Sequence, residues 1–217
     1  MSFVIEEDIT QDSTVYEALF NKYYSGWTEQ FLKYKNEIKE ISKIVDKIET
    51  RDGFFEPPKR SLFSMFEHTP LKEIKVVVWT DEPSVISKTN ATITKELSNE
   101  LKIKPRQNFR DFAKQGVLFM CGSISYSPRD KNLYKDVWLG FANIVINIIN
   151  ENVPNCIHLI WGSNCTKLES QITSREVYST SSPLKPYFGF NGCNHFIKIN
   201  ITLDRQKKEP IDWSIPR

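Results

Sequence analysis

Three histidines and four cysteines are the scarce reactive side chains of this 217-residue chain, and their spacing excludes more chemistry than it offers. His68, His158 and His195 have no carboxylate or cysteine at ligand spacing. Cys121, Cys156, Cys165 and Cys193 form no CxxC pair and no zinc set with a histidine. No metal and no cofactor is therefore expected, and the thiols read as reduced core residues. A phosphate-cradling glycine loop and a Ser-His-Asp order are both missing. The remaining polar groups of interest collect where apolar runs end: Asp81 and Glu82, Cys121 and Ser123, Ser163, and Thr180 with Ser182.

Those apolar runs are the elements that must position the groups. Ile74 to Trp79, Gly116 to Tyr126, Cys156 to Trp161 and Glu176 to Ser179 read as strands, the first three continuously apolar in at least part of their length. Between them lie helical patterns at Ala91 to Leu101 and Asp136 to Glu151, with further helices from Asn164 to Gln171 and Asn194 to Leu203. An N-terminal stretch, Glu17 to Ile48, has 3.6-residue periodicity through Trp27, Phe31, Tyr34, Ile38, Ile41, Val45 and Ile48, with a break near Ser25-Gly26. Arg51 to Arg60, with Gly53, Pro57 and Pro58, reads as a loop. Strands alternating with helices, and apolar on both faces, predict an α/β fold with a parallel sheet covered on both sides. In such a sheet the ligand site lies outside the C-terminal strand ends.

Length predicts one domain, residues 1–217, with a helical N-terminal part over about 1–60. Lys plus Arg number 29 against 27 Asp plus Glu, so any nucleic-acid contact must come from a local basic face rather than from net charge. The longest apolar stretch, Phe141 to Ile149, is interrupted by Asn143 and Asn147 and is too short to span a bilayer. Without the basic start or apolar run of a signal peptide, the chain is expected to be intracellular and to have no membrane partner.

Ser181 to Phe196 reads Ser-Ser-Pro-Leu-Lys-Pro-Tyr-Phe-Gly-Phe-Asn-Gly-Cys-Asn-His-Phe, followed by Pro210-Ile211-Asp212-Trp213. Earlier landmarks are Lys114-Gln115-Gly116-Val117-Leu118 and Leu159-Ile160-Trp161-Gly162-Ser163. In this order the motifs resemble family 1 uracil-DNA glycosylases over most of the chain. The resemblance implies a three-layer α/β/α sandwich around a central four-stranded parallel sheet. It also implies a base pocket at the strand ends and a phosphate-gripping DNA face.

Position by position, the resemblance implies a damaged pocket. Glu82 falls over the aspartate that positions or activates water; Asp81 can be aligned there instead, but then Pro83 loses its match. Thr80 replaces a glycine that lets the backbone approach the base, and Ser84 replaces the tyrosine that blocks thymine. The phenylalanine on which uracil stacks has no counterpart between Ser84 and Asn90. Cys121 takes the place of the asparagine that reads uracil, and Thr180 that of the histidine that stabilises the departing anion. A thiol cannot make paired amide contacts, and a neutral hydroxyl is a poorer partner for developing negative charge.

On the DNA-facing side, Ser163 matches the phosphate-binding Gly-Ser loop and Ser182-Pro183-Leu184 the Ser-Pro-Leu wedge, while Thr89 stands in for a serine of the proline-rich loop. Phe188 replaces an arginine that follows the wedge. Read without the family, Ser163 is a helix cap, Pro183-Leu184 a turn with a packed leucine, and the basic C-terminal residues Lys185, Lys198, Arg205, Lys207 and Lys208 a solvated face. Trp79 is a core tryptophan or a plug in the old pocket, His158 a satisfied core residue, and His195 part of the structural Gly-Cys-Asn-His-Phe motif. The leading expectation is a homologue without excision activity that binds DNA, or a protein partner such as a replication factor, by analogy with the poxvirus member that serves polymerase processivity. Its place would then be the nucleus or a viral replication compartment. The alternatives are an active glycosylase with Glu82 orienting water, and a pure protein-interaction module exposing an apolar patch around Phe188 and Phe190.

Overall fold

A computed structural model of the chain describes residues 8–10, 12–81, 84–104, 109–163 and 165–214, with backbone alone for 84–87. In chain order the elements are helices α1 (Val15–Phe20), α2 (Thr28–Phe31), α3 (Lys35–Asp52) and α4 (Ser64–His68), strand β1 (Val76–Thr80), helices α5 (Ser84–Leu101) and α6 (Phe109–Ala113), strand β2 (Val117–Cys121), helix α7 (Lys135–Asn152), strand β3 (Ile157–Trp161), helix α8 (Thr166–Glu169), strand β4 (Val177–Thr180) and helix α9 (His195–Arg205). The Thr-x-x-Glu sequence at Thr14–Glu17 opens α1 with a capping box. Gly53, left-handed at φ 73°, ends α3 and donates to the Glu49 carbonyl at 2.7 Å.

The four strands are parallel in the order β2-β1-β3-β4. Successive side chains of each strand go to opposite faces, and both faces are covered, which explains the unbroken apolar runs. Val77, Trp79, Leu118, Met120 and Ile160 join the N-terminal helices and α7 in one core. Trp27, Phe31, Phe63, Phe66 and Phe141 form an aromatic cluster there, with ring centroids 4.7–6.4 Å apart. Val76, Val78, Ile157, Leu159 and Trp161 pack on the other side against Ile93, Leu97, Phe112, Phe196 and Ile199 of α5, α6 and α9. This is the expected α/β/α sandwich. Helix α5 begins at Ser84, earlier than the Ala91 start read from the pattern. No helix among the described residues is long and apolar enough to cross a membrane.

Two tryptophan–histidine pairs fasten the sheet, one between strands and one to a helical layer. Trp79 Nε1 donates to His158 Nδ1 at 3.1 Å between neighbouring strands, and Trp161 Nε1 donates to His195 Nδ1 at 3.1 Å, linking β3 to α9. Both imidazoles are buried, and burial depresses each pKa to about 4, so they are neutral acceptors at neutral pH. His158 is a core residue as expected but only half satisfied, because its Nε2 has no partner. Trp79 is fully buried in the core of the N-terminal layer, which accords with the core reading.

Candidate functional site

Strand order β2-β1-β3-β4 means the chain moves from β1 to one side, then crosses to the other. The crevice at this reversal lies between the C-terminal ends of β1 and β3. Registry places Cys121, Thr80, Trp161 and Thr180 side by side across all four strands. The sequence therefore brings three of its candidate pocket positions into one row, although the outer two are separated by three strand spacings, roughly 14 Å.

Within that row the polar groups satisfy one another. Thr80 is fully buried, and its Oγ1 lies 3.3 Å from Cys121 Sγ. The Thr80 carbonyl accepts from Gly122 N–H at 2.8 Å and from Cys165 Sγ at 3.0 Å. Burial first, then the charge of nearby Asp81, pushes the Cys165 thiol upward, so it is not a nucleophile. Beyond Cys121 lies a cavity of about 250 Å³, lined chiefly by apolar groups including Met65, Phe109, Phe119 and Ile124, with His68 and Arg110 also on its wall. At the other end of the row, Thr180 accepts through its carbonyl from Gly162 N–H at 3.0 Å. Gly189 lies beside its hydroxyl, and a Cβ there would meet Oγ1 at 3.4 Å, an ordinary contact.

The carboxylate of Asp81 presses against the backbone of Gly162. A Cβ at Gly162 would lie within 2.6 Å of the Asp81 carboxyl carbon, and the residue has φ +121°. This contact joins the ends of β1 and β3 and was not anticipated from sequence. Glu82, the other candidate acid, and Pro83 lie outside the described residues, as does the side chain of Ser84.

No protein-family model matches the chain. Among curated proteins, uracil-DNA glycosylase of Francisella tularensis subsp. novicida is 33% identical over 184 residues, covering 73% of this chain and 84% of the relative. The protein of the same name from subsp. holarctica strain LVS is 32% identical over 188 residues with the same coverage. The chain belongs to the uracil-DNA glycosylase family. Solved structures agree on the fold: mimivirus uracil-DNA glycosylase superposes with a TM-score of 0.75 at 20% identity, covering 87% of this chain and 86% of that one. A variant of mimivirus UNG in complex with UGI gives 0.80 at 17% identity, covering 92% and 91%.

As a member of the uracil-DNA glycosylase family, the chain keeps its second group of candidates on the same pole. Ser163 is exposed, and α8 starts behind Cys165 with no side-chain cap, so the Ser163 hydroxyl is not the helix cap considered from sequence. Ser182 Oγ accepts from Leu184 N–H at 3.3 Å and shapes the turn. Pro183 is buried, while Leu184 is 47% exposed rather than packed. Ser181 Oγ accepts from Phe190 N–H and donates to the Lys185 carbonyl, fixing the loop that follows. That loop presents Tyr187 and Phe188 at 89% and 81% exposure. Phe190, expected in the exposed patch, is instead fully buried edge-on against Trp161. Thr89 is also buried, at 3% exposure within α5, and offers no hydroxyl to a strand at the surface. The tyrosine beside Phe188 was missed in the sequence, although two adjacent aromatics after a Pro-rich turn were a visible signal.

Proposed function

We propose that this family member binds DNA through the pole formed by the strand ends and does not excise uracil. The observation that carries the reading is the Thr80–Cys121 contact. The positions that correspond to the close-approach glycine and the base-reading asparagine bond to each other and offer no amide edge to a pyrimidine. Loss of a buried hydrogen-bonding edge removes discrimination on the order of 10⁴. With threonine at position 180, that position supplies no imidazole to support a leaving anion. Exposed Ser163, the turn at Ser182 and the solvent-facing Leu184, Tyr187 and Phe188 retain what a phosphate backbone and unstacked bases would meet. The role is a scaffold in viral-type DNA replication, repair or packaging, located in the nucleus or a viral replication compartment, with a replication factor as its protein partner.

Asp81 favours a second reading, in which a carboxylate at the β1–β3 crevice, this residue or Glu82, orients water for a slow glycosylase. One experiment separates the two. The chain is incubated with single-stranded oligonucleotides carrying uracil, hypoxanthine or an oxidised base, and abasic sites are scored by alkaline cleavage. Retardation of the oligonucleotides without cleavage is expected. Turnover that disappears in Glu82→Gln or Asp81→Asn would establish the second reading, and absence of any retardation at low salt would leave a protein-interaction module.

A further inference from the structure

The opposite pole of the sheet carries a separate charged cavity. It lies where the chain enters the strands: Lys75 precedes β1, Lys114 and Gln115 precede β2, and Asn155 precedes β3. Its volume is about 500 Å³, and Lys72, Lys75, Lys114 and Lys208 line it with Glu73 as its one carboxylate. Four ammonium groups against one carboxylate give the lining a formal charge of 4 − 1 = +3. The internal neutralisation is weak. Lys75 Nζ donates to a carbonyl, that of Glu209, at 3.0 Å. Lys114 reaches Asp111 only at 3.9 Å, and Lys72 and Lys208 form no ion pair among the described residues.

The wall offers positive charge without base readout, since it contains no aromatic ring on which a base could stack. Lysines acting as point charges suit phosphate oxygens, which need no fixed fork geometry. We propose that this cavity is a second, sequence-independent site for the phosphodiester backbone of DNA. With strands of five residues at about 3.3 Å each, the two poles lie roughly 16 Å apart across the sheet. A chain engaged at both would hold two DNA segments together. The lysine site stands whether or not the strand-end pole binds DNA.

The test uses the full chain, fluorescent dT20 oligonucleotides and a salt titration. Lys72→Gln/Lys208→Gln should weaken oligonucleotide binding at least tenfold at low salt. It should also make the log–log salt dependence shallower by about 1.4, since each lost phosphate contact on a single strand contributes about 0.7. Lys72→Arg/Lys208→Arg should retain the binding. Where the strand-end pole also binds DNA, energy transfer between donor-labelled and acceptor-labelled dT20 should appear with the wild-type chain and vanish in the glutamine variant. It should vanish equally in Tyr187→Ala/Phe188→Ala if the strand-end pole is the other contact. An unchanged salt slope in the glutamine variant overturns the proposal. So does competition by polyglutamate equal to that by inorganic tripolyphosphate at matched charge, which would point to an acidic protein surface. Binding of tripolyphosphate with no binding of dT20 overturns it too, because the site would then serve free phosphates.

Discussion

Gly162→Ala tests the geometry on which the strand-end site rests. The residue has φ +121°, a region that side chains rarely adopt, and holding alanine there costs about 1–3 kcal/mol. The new Cβ would also lie 2.6 Å from the Asp81 carboxyl carbon and closer still to its Oδ2, whereas ordinary contact begins at 3.4 Å, so the carboxyl must retreat by at least 3.4 − 2.6 = 0.8 Å. Pushing a short, half-buried side chain off its rotamer adds about 0.5–1.5 kcal/mol. The expected loss is therefore about 2–4 kcal/mol, large against the stability of a typical domain. Urea denaturation followed by tryptophan fluorescence should show a midpoint lower by about 1–2 M for an m-value near 2 kcal/mol/M. Asp81→Ala in the same chain should recover the contact component and leave the backbone component, so the double variant should fall between wild type and Gly162→Ala. A Gly162→Ala midpoint indistinguishable from wild type would refute the claim that the carboxylate is held against this turn, and with it the second reading of the site.

Further outcomes follow from the same structure. Tyr187→Ala should leave the urea midpoint unchanged, because the ring is almost entirely in solvent, and should weaken single-strand binding about 5- to 150-fold, the equivalent of 1–3 kcal/mol of base stacking, read by anisotropy. Thr180→His alone should yield no abasic sites on uracil-containing oligonucleotides, since the reader position remains a thiol; measurable cleavage would show that the histidine alone had been limiting. His158 and His195 both have folded pKa values lowered to about 4 from 6.5, so their contribution to stability is full above pH 6.5 and is lost as pH falls toward 4. Two such groups give a slope of up to roughly 2.7 kcal/mol per pH unit in that window, and His195→Gln should remove about half of it in urea titrations at pH 4.5, 5.5 and 6.5.

The strands and their parallel arrangement were legible because Val76, Val77 and Val78, or Ile157, Leu159 and Ile160, are apolar on both faces, a local property of the sequence. The row Cys121–Thr80–Thr180 was legible through motif order, since strand ends align once the sheet order is fixed. What required tertiary information was burial. Phe190 reads as an exposed aromatic in a glycine-rich loop and is covered because Trp161 arrives from another strand. Thr89 reads as a loop hydroxyl, but α5 begins so soon after β1 that the residue faces the interior of a helix layer. The Asp81–Gly162 contact joins residues 81 positions apart and depends on β1 and β3 being neighbours. The lysine cavity was invisible for the same reason: its four residues come from the turn before β1, the approaches to β1 and β2, and the segment after α9.

On the proposed reading, tolerance of a thiol at the base-reading position follows from the accounting of buried polar atoms. An asparagine at position 121 would place an amide against Thr80, and with no base to bind, part of that amide would stay unpaired at a cost of about 1–3 kcal/mol. A thiol asks for far less, and here it meets the Thr80 hydroxyl directly. On that reading the thiol would relax a site that a base-binding pocket must keep strained, the usual relation between activity and stability. Packing elsewhere does not depend on those positions: Trp79–His158 ties β1 to β3, and Trp161–His195 ties β3 to α9. Selection for binding alone would then preserve the strand-end loops and both tryptophan–histidine pairs while letting the pocket floor close on itself.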